Sequence, residues 1–313
     1  MARRSQHDVL GARNLTRFDF CIIGSGAGGG TAAHVLTAAG KNVLVLEAGH
    51  NPFPGLDHPK TIPPPLHSND ELKYSVRDYI RQQALLEPRT FRRDASTPGT
   101  IEDDVNVLPK AVGGAFQHAD CAVPRFNAVD FELVDAMARR KVASPSLAVP
   151  GFFDDLQGAN FANWPFSYAD LEPYYAEAEK LYGVQGVTGT EPDGNIFESN
   201  RKGRGYPMPP GVPMYFNLLL RDAARATPFL GDTLHPHVYP KAINSRFSAD
   251  GRPPCVDCGG CSGFGCPNHA KGSPAVTVLR RALLTGRCQL RFNAAAVRLL
   301  HAGTQVTGVE YVD

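Results

Sequence analysis

The chain has 313 residues, and its 32 basic and 31 acidic side chains leave a formal net charge of +1. Because the charges balance and no basic stretch stands out, nucleic acid is not expected as a partner. No apolar run reaches the ~20 residues that a membrane-spanning helix needs. Residues 1–15 predict a flexible polar tail, and the lack of an apolar segment behind its arginines does not fit a secretory signal.

The strongest pattern lies between Phe18 and Gly49. The apolar run from Phe18 to Ile23, broken only by Asp19, predicts a strand buried on both faces, as in a parallel sheet. A glycine-rich segment follows, then an alanine-rich helix from Thr31 to Ala39 and a second apolar strand from Asn42 to Leu46. This order of strand, helix and strand predicts a βαβ unit within an α/β fold.

The glycine-rich segment fits the spacing G-x-G-x-x-G at Gly24, Gly26 and Gly29. In such a segment the first glycine allows a tight turn, the second lets the backbone approach a pyrophosphate, and the third lets helix and strand pack closely. Glu47 lies 23 positions after Gly24, close to the ~20 expected for the acid that accepts ribose hydroxyls. The unit therefore predicts dinucleotide binding rather than a plain packing turn. The acid argues against a 2′-phosphate, and hence against NADP, but leaves NAD and FAD open.

Further along the chain, the segment from Asp70 to Leu86 predicts a helix, with apolar residues on one face. A second glycine cluster follows at Gly113 and Gly114, directly after an apolar pair. Two adjacent glycines indicate either a backbone pressed against a crowded surface or an ordinary tight turn. The residues alone leave these two interpretations open.

The rest of the chain predicts three helices, a strand and a hairpin. The first helix starts near Ser167, and its apolar stripe of Leu171, Tyr174, Tyr175, Ala178, Leu181 and Tyr182 is more typical of a core than of a substrate platform. The other elements are a helix at Asn217–Ala226, a helix at Ala275–Leu284, a strand at Gln289–Phe292, and a hairpin of Val297–His301 with Gln305–Val312.

Four of the seven cysteines lie within twelve positions, which is not the spread pattern of a disulfide framework. They are Cys255, Cys258, Cys261 and Cys266. The spacing is near the iron–sulfur run C-x2-C-x2-C-x3-C-P, with one extra residue before the last cysteine. Such thiols could surround an iron–sulfur cluster or a zinc ion, or could be small buried residues in a glycine-rich loop without a metal.

Taken together, the segments resemble the glucose-methanol-choline (GMC) oxidoreductases from about Phe18 onward. The resemblance is carried, in order, by IIGSGAGGG, VLEAG, the VGG of residues 112–114, NWPFSYADLEPYYAEAEKLYGVQG, GRPPCVDCGGCSGFGCPNHAKGSP and VTGVEYVD. The CGGCSGFGC block, the YPMPP of residues 206–210 and the PRTFRR of residues 88–93 look most like the branch of FAD-linked gluconate and polyol dehydrogenases.

This resemblance implies a Rossmann-like FAD/NAD(P)-binding domain with a parallel sheet and a partial inserted substrate-side region. The cofactor core would comprise about 16–50, 105–127 and 245–313, with the insertion at about 128–244, all within a GMC N-terminal FAD-binding region of 16–313. The implied cofactor is FAD. Carried over by position, its contacts would be Gly24, Ser25, Gly26, Ala27, Gly29, Glu47, Ala48, Gly49, Gly113, Gly114 and Val297.

The resemblance also implies a reaction, in which a CH–OH group gives a hydride to the flavin N5 while a base takes the hydroxyl proton. In the family that base is a histidine, paired with a second histidine or an asparagine, and all ten histidines here precede the place where it would stand. We therefore expect an N-terminal fragment or truncated product that lacks the C-terminal catalytic domain and is inactive alone. The residues after Gly114 depart from the family pattern, which puts flavin contacts there in doubt.

Several expectations follow for partners and location. The substrate would be an alcohol, sugar or polyol, and electrons would pass to an acceptor protein or a quinone. Some FAD-linked sugar dehydrogenases of this family carry an iron–sulfur cluster, which would fall on the four cysteines. We expect a cytoplasmic chain, with a periplasmic location open through a partner subunit. The competing interpretations are a non-catalytic FAD- or metal-binding module and an NAD-dependent dehydrogenase.

Overall fold

A computed structural model describes residues 8–12, 14–53, 55–58, 89–91, 96–98, 100–102, 110–143, 162–189, 205–229 and 232–312. The described residues fall into two compact units, one of Met1–Ala122, Leu181–Val184 and Lys241–Asp313, the other of Val123–Lys180 and Gln185–Pro240. The sequence placed the insertion at about 128–244, close to the bounds of the second unit. The helix expected at Asp70–Leu86 lies outside the described residues.

The first unit is built on a four-stranded sheet. Its elements are β1 (Val9–Gly11), β2 (Phe20–Ile23), helix α1 (Ala27–Ala38), β3 (Val43–Leu46) and β8 (Cys288–Arg291). The strand order is β1-β8-β3-β2, with β2, β3 and β8 parallel and β1 antiparallel to β8. Strand, helix and strand follow one another as the sequence predicted, so the α/β fold with a parallel sheet is confirmed.

Two expectations about this sheet are wrong. Residues 1–15 were expected to be a flexible tail, yet Val9–Gly11 pairs with β8 and Leu10 is buried in the core. The first strand of the βαβ unit was expected to be buried on both faces, yet β2 is an edge strand of this sheet, with Phe20 and Ile23 exposed. The apolar composition of β2 is compatible with burial, but strand order decides which strand is covered.

The core of the first unit lies where the sheet packs against α1 and a second helical segment. This segment starts as a π-helical stretch, Ala275–Leu279, and continues as helix α6, Arg280–Leu284. The helix expected at Ala275–Leu284 is therefore confirmed. Val43, Val45 and Leu290 of the sheet are fully buried in the same cluster as Ala33 of α1 and Leu279.

The hairpin expected near the end of the chain is also confirmed. β9 (Ala295–Ala302) and β10 (Gln305–Val312) form a two-stranded antiparallel sheet around a turn at Gly303, whose φ is +60°. Two short antiparallel pairs complete the described strands. They are β4 (Arg89–Phe91) with β5 (Thr100–Glu102), and β6 (Pro228–Phe229) with β7 (Asp232–Thr233).

The second unit contributes most of the remaining helices. They are α2 (Ala128–Phe131), α3 (Leu133–Ala143), α4 (Tyr168–Tyr182), whose last two residues belong to the first unit, and α5 (Tyr215–Ala226). α2 starts with a capping box in which the side chains of Asn127 and Asp130 each accept a hydrogen bond from the other's backbone N–H. Within the described ranges, we find no helix that combines the length and the apolar character needed to cross a lipid bilayer.

Candidate functional site

The glycine-rich segment forms an open turn between β2 and α1. Gly24 has a φ of +91°, which only glycine adopts without strain, and Gly26 is the N-cap of α1 without any side-chain cap. A Cβ built on Gly24, Gly26 or Gly28 would meet no protein atom within 4 Å. The start of the helix therefore faces a space that a ligand can enter.

The third glycine of the motif has a packing role. A Cβ on Gly29 would lie 2.0 Å from the carbonyl oxygen of Gly24 and 3.1 Å from the side chain of Ile22. Any larger residue would push α1 away from β2. The sequence-based interpretation, that this glycine lets helix and strand approach, is confirmed.

Glu47 lies buried at the tip of β3, only 7% exposed, and its carboxylate is fixed by three donors. Oε2 accepts the backbone N–H of Ser25 at 2.9 Å and the hydroxyl of Ser25 at 2.5 Å, while Oε1 accepts the N–H of Gly49 at 2.8 Å. The sequence-based assignment counted Ser25 among the pyrophosphate contacts. Both of its donors are instead directed to Glu47, and the serine is completely buried.

The second glycine cluster packs directly onto the first. Gly113 and Gly114 have φ angles of +94° and +63°, and a Cβ on Gly114 would lie 3.1 Å from the Cα of Gly26. The N–H of Gly113 donates to the Ser25 hydroxyl at 3.0 Å. Of the two interpretations left open by the sequence, close backbone approach describes this turn.

The residues after Gly114 form a short 3-10 helix, Gly114–Gln117, that turns inward. The buried Gln117 donates from Nε2 to the carbonyl oxygen of Val112 at 3.0 Å and to the hydroxyl of Ser273 at 3.2 Å. Its amide fills the space that a side chain on Gly113 would need, since a Cβ there would lie 2.0 Å from Nε2. Gln117 therefore holds the second turn from within the protein.

The other candidate residues lie along the same edge or on the hairpin. Gly49 packs against the backbone of Lys110, where a Cβ would lie 1.9 Å from the carbonyl carbon, so only glycine fits. Ala48, next to it in the chain, is exposed. The N–H of Ala294 donates to the carbonyl oxygen of Glu47 at 2.8 Å. Val297 lies three residues further on, in β9, with its side chain 57% exposed.

The cysteine block is organised around Lys271. This lysine is buried, and its ammonium donates to the carbonyl oxygens of Ala119, Cys261 and Phe264 at 2.8, 2.6 and 2.9 Å. Since Ala119 follows the second glycine turn, Lys271 ties that turn to the cysteine loop. A sequence pattern could not reveal this role, because a lone lysine carries no signal.

The four cysteines of the block line one small cavity together with Lys271. All four are free thiols, and burial raises the pKa of Cys255 and Cys261. Over the described part of the chain, no group of three or more His, Cys, Asp or Glu side chains is arranged to hold a metal ion.

The second unit contains a buried ionic cluster that the sequence analysis missed. Arg125 donates to Glu179 through Nε at 2.8 Å and Nη2 at 3.0 Å, and to Glu172 through Nη1 at 3.0 Å. Burial by itself lowers the pKa of the Arg125 guanidinium, but the hydrogen bonds that it donates to Glu179, Tyr168 and Glu172, together with the negative charge of Glu179, outweigh burial and raise that pKa overall. The guanidinium also lies over the ring of Tyr175, 5.5 Å from its centroid.

This cluster corrects the expected inner face of α4. Tyr174, placed in the apolar stripe, is 69% exposed, whereas Glu172 and Glu179 point inward to Arg125. A cavity of about 610 Å³ lies beside α4, and its lining combines aromatic rings with carboxylates and an amide. Its lining includes Phe131, Glu132, Asp135, Asn163, Trp164 and Phe166.

Comparison with known proteins matches residues 22–58 to the family described as NAD(P)-binding Rossmann-like domain. The gluconate 2-dehydrogenase flavoprotein of Pantoea cypripedii is 29% identical over 324 residues, covering 97% of this chain and 49% of the relative. The 2-methyl-1,2-propanediol dehydrogenase of Mycolicibacterium austroafricanum is 29% identical over 303 residues, covering 94% of this chain and 45% of the relative. The chain is therefore a homologue of these two dehydrogenases.

Among solved structures, the crystal structure of pyridoxine 4-oxidase from Mesorbium loti matches with a TM-score of 0.49 and 16% identity. That match covers 95% of this chain and 46% of the oxidase. The chain spans about half the length of the relatives it matches.

Proposed function

We propose that this chain is the FAD-binding part of a GMC oxidoreductase that acts on CH–OH groups of alcohols, sugars or polyols. The observation that carries the proposal is that the turn at Gly26, the carboxylate of Glu47 and the turn at Gly113 and Gly114 lie together in one unit. This arrangement supports a long ligand with a ribose and a pyrophosphate.

The residues fit FAD on three counts. The backbone N–H groups at the start of α1, at Ala27 and Gly28, are suited to a pyrophosphate, and the open space beside Gly26 leaves room for it. Glu47 uses three of the roughly four acceptor positions of a carboxylate, so a position remains for a ribose hydroxyl. The turn at Gly113 and Gly114 packs against Gly26, next to the proposed position of the pyrophosphate.

When bound, FAD supplies the two-electron acceptor for oxidation of a CH–OH group. The residues of this chain would hold and orient it: the start of α1 through the pyrophosphate, Glu47 through the adenosine ribose, and the second glycine turn beside the flavin end. The substrate class is proposed from the names of the relatives, gluconate 2-dehydrogenase and 2-methyl-1,2-propanediol dehydrogenase. Reoxidation would pass electrons to an acceptor protein or a quinone.

We propose that the base that takes the hydroxyl proton lies in the part of the relatives' length that this chain does not cover. General-base catalysis is typically worth about 10²–10⁴ in rate, so the FAD-loaded chain alone should not turn over gluconate, sorbitol or simple diols with a dye acceptor. Turnover at an ordinary dehydrogenase rate of ~10 s⁻¹ would place the base within these residues and contradict the proposal.

The family match described as NAD(P)-binding favours NAD as the second candidate ligand. Titration of the purified chain with FAD, NAD and FMN separates the candidates, with flavin fluorescence for FAD and FMN and calorimetry for NAD. We expect tight binding of FAD, weaker binding of NAD and none of FMN, because FMN lacks the adenosine half that Glu47 would hold. Binding of NAD without FAD would overturn the flavoprotein proposal.

A further inference from the structure

Ser25 connects three segments that are far apart in the sequence. It is completely buried between the first two glycines of the motif. Its hydroxyl donates to Oε2 of Glu47 at 2.5 Å and accepts the N–H of Gly113 at 3.0 Å. Its backbone N–H donates to the same Glu47 oxygen at 2.9 Å. One hydroxyl thus joins the glycine-rich turn, the tip of β3 and the second glycine turn.

The geometry uses the full donor capacity of this hydroxyl. A serine hydroxyl has one proton and two lone pairs, and its proton here is given to Glu47. The residue therefore has no proton left for a phosphate oxygen, and its burial keeps its side chain away from the open space beside Gly26. Any effect of the Ser25 side chain on ligand binding is therefore transmitted through Glu47 and Gly113.

We propose that Ser25 is a positioning residue for the cofactor site formed by Gly26, Glu47 and the turn at Gly113. Its hydroxyl fixes the Glu47 carboxylate in the orientation that meets a ribose, and it fixes the turn at Gly113 against the first turn. This inference rests on the proposed FAD binding and goes beyond it, because it takes Ser25 out of the set of ligand contacts. It makes the ribose selectivity of Glu47 depend on Ser25, a side chain that the ligand does not touch.

A preference for ribose hydroxyls measures the orientation of Glu47 directly. The test compares the Kd of ADP with that of 2′,3′-dideoxy-ADP for the wild-type chain and for Ser25→Ala. We expect the wild type to prefer ADP by about tenfold to a hundredfold, the range of a charge-assisted hydrogen bond. Ser25→Ala should lose most of that preference, because its binding of ADP falls while its binding of the dideoxy analogue changes little.

Thr31→Ala is the matched control. Thr31 lies in α1, the helix that follows Ser25, and its hydroxyl is hydrogen-bonded to the hydroxyl of Tyr182 at 2.8 Å, so the variant also removes a part-buried hydroxyl. It should keep the ribose preference of the wild type. A loss of preference in Thr31→Ala equal to that in Ser25→Ala would assign both effects to general loosening of the unit and overturn the proposal.

A double-variant cycle tests whether Ser25 acts through Glu47. Glu47→Gln should abolish the ribose preference, and adding Ser25→Ala should then change the ADP affinity by less than about threefold, because coupled residues are not additive. Additive losses would show that Ser25 affects ADP binding by a route other than Glu47 and would overturn its role in orienting that carboxylate. Ser25→Cys is the second variant, because it keeps a side chain of similar size. If both Ser25 variants fail to fold, Ser25 has a purely structural role and the assignment is refuted.

The outcome is separable from that of the proposed function. If the wild-type chain binds neither FAD nor ADP, the proposed function fails. If the wild type binds both with a ribose preference and Ser25→Ala keeps that preference, only the positioning role of Ser25 fails.

Discussion

The buried arginine of the second unit offers the sharpest test of the packing. Arg125 is replaced by Met, which is unbranched and of similar length but carries no charge. The guanidinium has 2% of its side-chain surface exposed, and its partners Glu172 and Glu179 have 9% and 7%. The change therefore leaves two carboxylates buried without their cation.

The expected loss follows from that burial. Removing one partner of a buried ion pair costs about 3–5 kcal/mol, because the remaining charge is left uncompensated. At about 4 °C per kcal/mol for a unit of this size, the unfolding midpoint of the second unit should fall by roughly 12–20 °C. Arg125→Lys should lose less, since it keeps the charge but not the two-pronged contact with Glu179.

Trp164 is the only tryptophan of the chain, which makes its fluorescence a probe of the second unit alone. It packs against Phe131 and Phe166, with ring centroids 6.2 and 5.5 Å apart. Thermal and urea unfolding are followed at this residue. The control is Arg139→Met, which removes an exposed pair with Glu132 in the same unit and should cost less than about 1 kcal/mol.

A third variant decides whether buried charge is the cause. Combining Arg125→Met with Glu172→Gln and Glu179→Gln removes every charge of the cluster, and it should recover roughly half or more of the lost stability. A midpoint for Arg125→Met within about 3 °C of the control would refute the reasoning. So would a triple variant less stable than the single one.

Three further predictions concern the first unit. Gly26→Val should fold normally, because a Cβ at this position meets no protein atom within 4 Å, but it should lose FAD binding. Gly205→Val, at an equally open glycine of the second unit, should bind FAD like the wild type, and equal affinities in the two variants would contradict the proposed pyrophosphate site at Gly26. Lys271→Met leaves three carbonyl oxygens without their donor and should speed thiol labelling of the cysteine loop at least several-fold, as measured by rapid alkylation and mass spectrometry. Burial raises the pKa of Cys121 and Cys288 to about 12, so both thiols are protonated at pH 8. Both should resist alkylation in the native chain at that pH and react after denaturation, and fast native labelling of either thiol would contradict its burial.

The βαβ unit could be predicted because its rules are local. Apolar runs predicted strands at Phe18–Ile23 and Asn42–Leu46, and the structure has them at Phe20–Ile23 and Val43–Leu46. The glycine spacing predicted a tight turn and close helix packing for the same reason, since φ angles and the space for a Cβ depend on neighbouring residues. The hairpin at Gly303 follows from equally local turn chemistry.

Burial of individual strands could not be predicted, because strand order depends on residues far along the chain. β8, at Cys288–Arg291, lies between β3 and β1 in the sheet, although more than two hundred residues separate it from either strand in sequence. This arrangement turns the expected tail at Val9–Gly11 into a paired strand. It also leaves β2 at an edge, although its composition is that of a covered strand.

The sequence by itself determined the kind of site: a glycine-rich turn, an acid at a strand tip and a second pair of glycines, together with the GMC resemblance. Only the tertiary structure decided how these residues meet. Ser25 turns inward to Glu47 because the tip of β3 and the turn at Gly113 lie within hydrogen-bond distance of it. Likewise, the acids of α4 face inward because Arg125 lies behind that helix. A buried polar side chain takes the direction of its partner, and partners distant in sequence meet only after folding.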